Sequence, residues 1–278
     1  GRFAEALALA ERAAAQSAPP PARVLAAVGL YQGHLERYQE ALESLSAALE
    51  LDPNRADWLS TRANTWRMLG EPAKALADCD RALALMPGLL SAAANRAEAL
   101  MALERYPEAA ELYTRLLAED PTDVRFYTRR AECYRRLERF SEQVLDLDRA
   151  LELEPSAARY EARGKTRLRL DDTLGAIEDF EQALKLGPGG AGLFSNLGCA
   201  LFQAGRLPEA VGCLDAAIDL DPAAPESYLF RGLSHAGLGH YPEALADYDS
   251  ALARDLAPQQ RARVEALRSA AAAAAASE

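Results

Sequence analysis

Proline returns in this chain on a fixed interval, and that interval limits the fold more than any other feature. Pro53, Pro87, Pro121, Pro155, Pro188 and Pro222 are separated by 34, 34, 34, 33 and 34 residues. Each closes a run of helical composition: SAALELDP, DRALALMP, TRLLAEDP, DRALELEP, EQALKLGP and DAAIDLDP. Proline has no amide hydrogen and clashes with the preceding turn, so it ends a helix. A segment repeated at this length points to an array of small units, each burying its apolar face against the next. The units run over 22–55, 56–89, 90–123, 124–156, 157–190, 191–224 and 225–256, the last ending less cleanly at SALARDLAP, where Pro258 is displaced.

Each unit divides in two. An amphipathic run of about a dozen residues ends at a tight turn, as in LERY, LGEP, LERF or LGHY, and a second amphipathic run follows. Pro72, Pro107, Pro208 and Pro242 stand in the first turn of that second run, where the amide that proline lacks would have no partner. The pattern predicts helix–turn–helix throughout. Small residues mark where the helices meet. The eighth position holds Gly29, Ala63, Ala97, Ala131, Gly164, Gly198 and Gly232. The twentieth and twenty-seventh are alanine in every unit except for Gln143 and Leu116. Bulky neighbours such as Leu45, Tyr113, Phe180 and Tyr248 are expected to fill the space that these small residues leave.

The period, the small residues at positions eight, twenty and twenty-seven, and the closing proline resemble the tetratricopeptide repeat family over nearly the whole chain. The resemblance implies an all-α fold, a right-handed α-solenoid of stacked helix–turn–helix repeats. The family's tryptophan near the start of the first helix is replaced by Tyr127, Tyr160, Phe194 and Tyr228 in four units, and its leucine at the seventh position mostly by arginine. The opening GRFAEALALAERAA aligns with ERYQEALESLSAAL and GHYPEALADYDSAL. Residues 1–21 are therefore expected to be the second helix of an eighth, truncated unit with a linker, cut from a longer chain. Residues 257–278 are expected to form a capping helix, with Val264 and Leu267 as its apolar stripe and a run of alanines behind them.

The arginines at the seventh position suggest a structural charge system. Arg62, Arg130, Arg163 and Arg231 occur in units whose second helix carries Asp78/Asp80, Asp146/Asp148, Asp179/Glu181 and Asp247/Asp249 around its bulky residue. Each arginine is expected to bridge to one of these carboxylates within or between units. The unit with Arg96 carries Leu112 and Thr114 and departs from the rule.

Half of the 278 residues are apolar and 26% are charged, with a net charge of -11. So acidic a chain is repelled by phosphate backbones, which argues against nucleic acid as a partner. No apolar run is long enough to span a bilayer, so no membrane insertion is expected, and a cytoplasmic location is the expectation. Cys79, Cys133, Cys199 and Cys213 form no CxxC pair and read as small buried residues. His34, His235 and His240 lack a convincing set of ligand partners, and no phosphate loop, dinucleotide fingerprint or nucleophile elbow occurs. The chain is read as non-catalytic, without metal or cofactor.

The resemblance also places ligand-facing residues on the first helices, which line the concave side of such an array. A middle zone is rich in base: Arg125, Arg129, Arg135, Arg136, Lys165 and Arg169, diluted by Glu98, Glu132 and Glu161. Two readings stand for it. It binds carboxylates through guanidinium forks, or it is a solvated face paired with its own glutamates. Some family members hold a partner's acidic C-terminus in a carboxylate clamp. Asn64, Asn95, Arg125 and Arg129 match that clamp, and Ser60 stands where it has a lysine. Near the C-terminus Phe202, Leu229, Phe230 and Leu233 form an apolar zone, read either as packing beneath the capping helix or as an anchor pocket. The function expected is a protein–protein interaction scaffold that binds a peptide or partner segment, acidic or bearing a C-terminal carboxylate. The alternative is the regulatory or substrate-recruiting region of a larger enzyme. Self-association through the truncated first repeat is a third expectation.

Overall fold

The structure, a computed structural model, describes residues 2–276. The ends of the two terminal segments, Gly1 and Ser277–Glu278, lie outside the described residues. Those described form sixteen α-helices and no strand. They divide into two compact units, residues 1–138 and 139–278.

The N-terminal unit contains α1 (Arg2–Ala15), α2 (Ala22–His34), α3 (Tyr38–Leu51), α4 (Ala56–Met68), α5 (Pro72–Leu85), α6 (Leu90–Ala102), α7 (Tyr106–Glu119) and α8 (Val124–Arg136). Here α2 packs on α3, α4 on α5 and α6 on α7, and each pair packs on the next. Helix α1 lies on α2, where Phe3 stacks on the His34 ring at 4.3 Å. The C-terminal unit contains α9 (Phe140–Leu153), α10 (Ala157–Arg169), α11 (Thr173–Leu186), α12 (Ala191–Gln203), α13 (Leu207–Leu220), α14 (Pro225–Gly237), α15 (Tyr241–Leu252) and α16 (Pro258–Ala275). Its helices pack in the same successive manner, and α16 covers α15 with Val264 fully buried.

The turn between the helices of a pair follows one design. The residue at the fifteenth position has a left-handed backbone in every pair: Glu36, Gly70, Glu104, Glu138, Asp171, Gly205 and Gly239, all with φ between 55° and 80°. The next amide then bonds back across the turn. Arg105 N–H donates to the Leu100 carbonyl at 2.9 Å, and Asp172 N–H to the Arg167 carbonyl at 2.9 Å. This is a Schellman closure, which satisfies carbonyls that the ending helix leaves open.

Helices within a pair approach where the eighth residue is small. A Cβ on Gly164 would lie 2.6 Å from Cε1 of Phe180, and one on Gly232 would lie 2.9 Å from Cε1 of Tyr248. Both rings are almost wholly buried, so the missing side chain is what admits them.

The seventh-position arginines reach in two directions. Arg163 makes a fork to Asp179 of its own second helix, with Nη2 to Oδ1 at 2.6 Å, and its Nη1 meets Asp148 of the preceding repeat at 2.6 Å. Arg231 repeats this with Asp247 at 2.6 Å and Asp215 at 2.5 Å. Arg62 forks onto Asp78 at 2.7 and 2.8 Å and donates to Ser46 of the preceding repeat at 3.3 Å. Arg96, which stood outside the expected rule, faces Leu112 and Thr114 where other repeats carry carboxylates, and it pairs backward with Asp80 at 2.6 Å. The last second helix has no following repeat to answer Asp249, and Arg268 of α16 takes that place at 2.5 Å. Burial pulls the Arg163 guanidinium down, but its bonds to Asp179 and Asp148 outweigh that effect and hold the group above its usual value.

Candidate functional site

In the N-terminal unit, polar contacts tie the first helices α4, α6 and α8 into a row. Asn95 of α6 donates its amide to the Ser60 carbonyl of α4 at 2.9 Å and to the Ser60 hydroxyl at 3.2 Å. Ser60 is buried, and its hydroxyl donates to Ser91 at 3.1 Å. Asn95 therefore serves as a strut between two repeats. Asn64, one turn beyond Ser60, stays exposed and accepts from Arg67 at 2.8 Å.

Helix α8 carries the arginines. Its N-cap Asp123 accepts from the Arg125 amide at 2.9 Å and pairs with the Arg125 guanidinium at 2.6 Å. The hydrogen bond from Arg125 holds the Asp123 carboxyl below its usual range, as expected of a carboxylate at a helix N-terminus. Arg129 reaches α6, with Nε 2.9 Å from Glu98, and the same carboxylate accepts the Tyr113 hydroxyl at 2.7 Å. Burial, reinforced by Glu98, pushes the Tyr113 phenol up, so it remains a neutral donor. Arg135 and Arg136 share Glu132 at 2.6 and 3.0 Å, and Arg136 lies 5.8 Å from the Tyr106 ring centroid. The bond from Arg135 is the main cause that lowers the Glu132 carboxyl, with burial opposing it. Four arginines thus meet three carboxylates: Asp123, Glu98 and Glu132. Arg125 remains 78% exposed and Arg129 51%, which leaves several of their donors facing solvent.

The remaining expected residues lie in the C-terminal unit. Lys165 pairs with Glu161 one turn away on α10. Arg169 is exposed and sits 5.7 Å from the Phe140 ring centroid, with no ion pair among the described residues. Phe202 of α12 and Phe230 of α14 meet edge to face at 5.8 Å and pack on the core of α11–α13, so both rings are half-buried. Leu229 and Leu233 turn the other way, into the cluster that contains Val264 and Leu267 of α16.

The other candidates have structural surroundings. Cys79 and Cys133 are buried, and burial pushes the thiols of Cys79, Cys133 and Cys199 up to about 12. His235 and His240 lie 5.8 Å apart by ring centroids. Among the described residues no cluster of three metal-ligating side chains occurs, and no helix is long and apolar enough to cross a membrane.

The tetratricopeptide repeat family model matches residues 29–89, 95–158, 161–225 and 195–261. The chain belongs to the tetratricopeptide repeat family. A tetratricopeptide repeat protein from Parabacteroides merdae has the same fold at 18% identity and a TM-score of 0.61, covering 89% of this chain and 98% of its own. The C-terminal part of a repeat-containing protein from Cytophaga hutchinsonii superposes with a TM-score of 0.71 at 14% identity, over 85% of this chain and 97% of that one. MamA from Desulfovibrio magneticus, residues 41 to the end, matches 59% of this chain and 94% of its own at 22% identity and a TM-score of 0.57. Membership in the tetratricopeptide repeat family supports a protein-interaction scaffold.

Two groups that shape the candidate face, Asp123 and Ser60, carry a weaker signal in the sequence. Asp123 was legible as an N-cap before a helical run. Ser60 was noted only for replacing a lysine. Glu98 is among the glutamates that the sequence sets beside these arginines, but its joint contact with Arg129 and Tyr113 depends on how α6, α7 and α8 come together.

Proposed function

We propose that this protein is a non-catalytic scaffold whose N-terminal unit binds a carboxylate-bearing segment of a partner protein on the face of α4, α6 and α8. One observation carries the reading: Arg125 and Arg129 stand one turn apart on α8, both largely exposed, and each is held by a carboxylate that a ligand can displace. The guanidinium groups face solvent while Asp123 and Glu98 are only 11% and 23% exposed, so a ligand carboxylate gains the free donors of each arginine and competes with its partner for the rest. Glu98 would keep the Tyr113 hydroxyl when it releases Arg129. Two guanidinium forks then recognise paired carboxylates, and Asn64 offers an amide on α4, two repeats before α8. Asn95 contributes by fixing the spacing of α4 and α6, since its amide is already bonded to Ser60.

The test is a fluorescence-anisotropy titration with a labelled octapeptide of alternating Asp and Glu with a free C-terminus, beside its amidated form and a lysine-rich control. Binding of the acidic peptide should weaken at least tenfold in Arg125→Glu/Arg129→Glu and should fall with salt. Equal binding to the double variant and the unaltered protein would remove the proposal.

A further inference from the structure

The third repeat departs from the others at one place with a geometric consequence. Its fourth position is Ala93, whereas the corresponding residues elsewhere are Leu25, Leu59, Tyr127, Tyr160, Phe194 and Tyr228. The three tyrosines show what normally fills that place. Tyr127 donates its hydroxyl to the carbonyl of Pro121, the closing proline of the preceding repeat, at 3.3 Å. Arg130, three residues on, lies 5.9 Å from its ring centroid. Tyr228 repeats the arrangement with the Pro222 carbonyl at 3.4 Å and Arg231 at 5.7 Å, while Arg254 lies 3.8 Å from the ring and Ile218 packs in the same cluster. Arg163 lies 5.4 Å from the Tyr160 ring.

Around Ala93 the corresponding positions surround no ring, with Glu119 in the place of Arg254 and Leu116 in the place of Ala251. A cavity of about 590 Å³ opens there, within the N-terminal unit, between α5, α6 and α7. Its lining includes Pro87, Arg96, Leu83 and Glu119, the register counterparts of Pro222, Arg231, Ile218 and Arg254 around Tyr228. Leu116, the one bulky residue at a position that is otherwise alanine, supplies a further apolar wall. The cavity is large enough for a phenol ring and the backbone that carries it.

We propose that this cavity is a socket for an unmodified tyrosine side chain of a partner protein segment. The ring would lie against Leu83 and Leu116 beside the Arg96 guanidinium, and its hydroxyl would donate to the Pro87 carbonyl. A phosphorylated tyrosine is disfavoured. Asp80 already neutralises Arg96 at 2.6 Å, Glu111 engages Arg115 at 2.6 Å, and the Glu119 carboxylate lines the opening. The socket is lined by residues other than those of the acidic-segment face, so it stands independently of that reading.

The test is a titration followed by methyl and amide NMR shifts, with acetyl-Gly-Tyr-Gly-amide and its Phe, Leu and phosphotyrosine counterparts. The tyrosine peptide should shift Leu83, Ala93 and Leu116. The phenylalanine peptide should bind roughly 2- to 10-fold more weakly for want of one hydrogen bond, and the phosphorylated one should not bind. Ala93→Tyr and Ala93→Leu place in the socket the side chains that other repeats carry there, and both should fold and abolish binding. Arg125→Glu/Arg129→Glu should leave it unchanged. No shift with the tyrosine peptide, equal binding to the filled variants, or equal binding of leucine and tyrosine peptides would overturn the proposal.

Discussion

The fifth repeat, α10 with α11, and the third, α6 with α7, show two outcomes of one sequence pattern. In the fifth, Asp179 is 1% exposed and receives both Arg163 and Arg167, the latter at 3.0 Å, and Phe180 fills the space beside Gly164. In the third, the residue matching Asp179 is Leu112, the arginine turns to an exposed Asp80, and a cavity remains beside Ala93. The fifth repeat is closed by a buried charge system and carries Tyr160 at its fourth position, whereas the third keeps Tyr113 as its inner ring but gives up both the carboxylate and the fourth-position ring. Stability in such an array is carried repeat by repeat, so one repeat can be left open while its neighbours hold the stack.

The strongest way to break this comparison is to remove the buried carboxylate. Asp179→Ala leaves two guanidinium groups without their shared partner in a site that water barely reaches. The expected loss is about 3–5 kcal/mol, read by urea denaturation. Asp80→Ala removes an exposed partner in the third repeat and should cost only about 0.2–1 kcal/mol. Similar losses in both variants would mean that the two arginines do equivalent work and that burial is not what separates the repeats.

The difference between these repeats was only half legible in the sequence. The period, the turn words and the closing prolines located the helix pairs because each rests on local chemistry. The pairing of Arg163 with Asp179 was also legible, since sixteen residues of spacing recur wherever it occurs. Reach between repeats was expected, but that Arg96 would turn to Asp80 of the preceding repeat was not legible, nor was Arg268 of α16 as the partner of Asp249. Both depend on which second helix lies next to which guanidinium, and no single repeat contains that information. Likewise Ala93 reads as one more alanine in an alanine-rich chain. Whether its neighbours close over it or leave a cavity is a question of packing, which letters alone do not answer. At the candidate face, Asn95 and Arg125 are of the residue types expected for a clamp. Their partners Ser60 and Asp123 show that one of them braces the helices and the other is tied to its own cap.

The next test exchanges the small residues that set helix approach. Gly164→Ala places a methyl group against a buried, immobile ring, and the overpacking should cost about 1–3 kcal/mol despite the better helix propensity of alanine. The reciprocal change, Ala97→Gly in the third repeat, loses helix propensity and one fully buried methyl group, about 1–2 kcal/mol together. A stabilised Gly164→Ala variant would show that Phe180 moves freely and that the fifth repeat is not closed in the sense argued above.

The smallest effect belongs to a feature the two repeats share. Glu104 and Asp171 follow α6 and α10 with the same left-handed backbone, φ 59° in each, and the next amide, of Arg105 or Asp172, donates to the carbonyl five residues before it. An L-residue in that conformation is strained by roughly 1–2 kcal/mol, and glycine relieves the strain while returning part of the gain as unfolded-chain entropy. Glu104→Gly and Asp171→Gly should therefore each stabilise by about 0.5–1 kcal/mol, measured by thermal melting against the unaltered protein. Equal gains would place the contrast between the repeats in their packing and leave the turns out of it. A gain confined to Glu104→Gly would be informative in a different way. Asp172, the neighbour of Asp171, caps α11 by accepting from the Gly175 amide at 3.0 Å. A second turn loosened by glycine could lose that cap, and the fifth repeat would then owe part of its closure to its turn as well as to its buried charges.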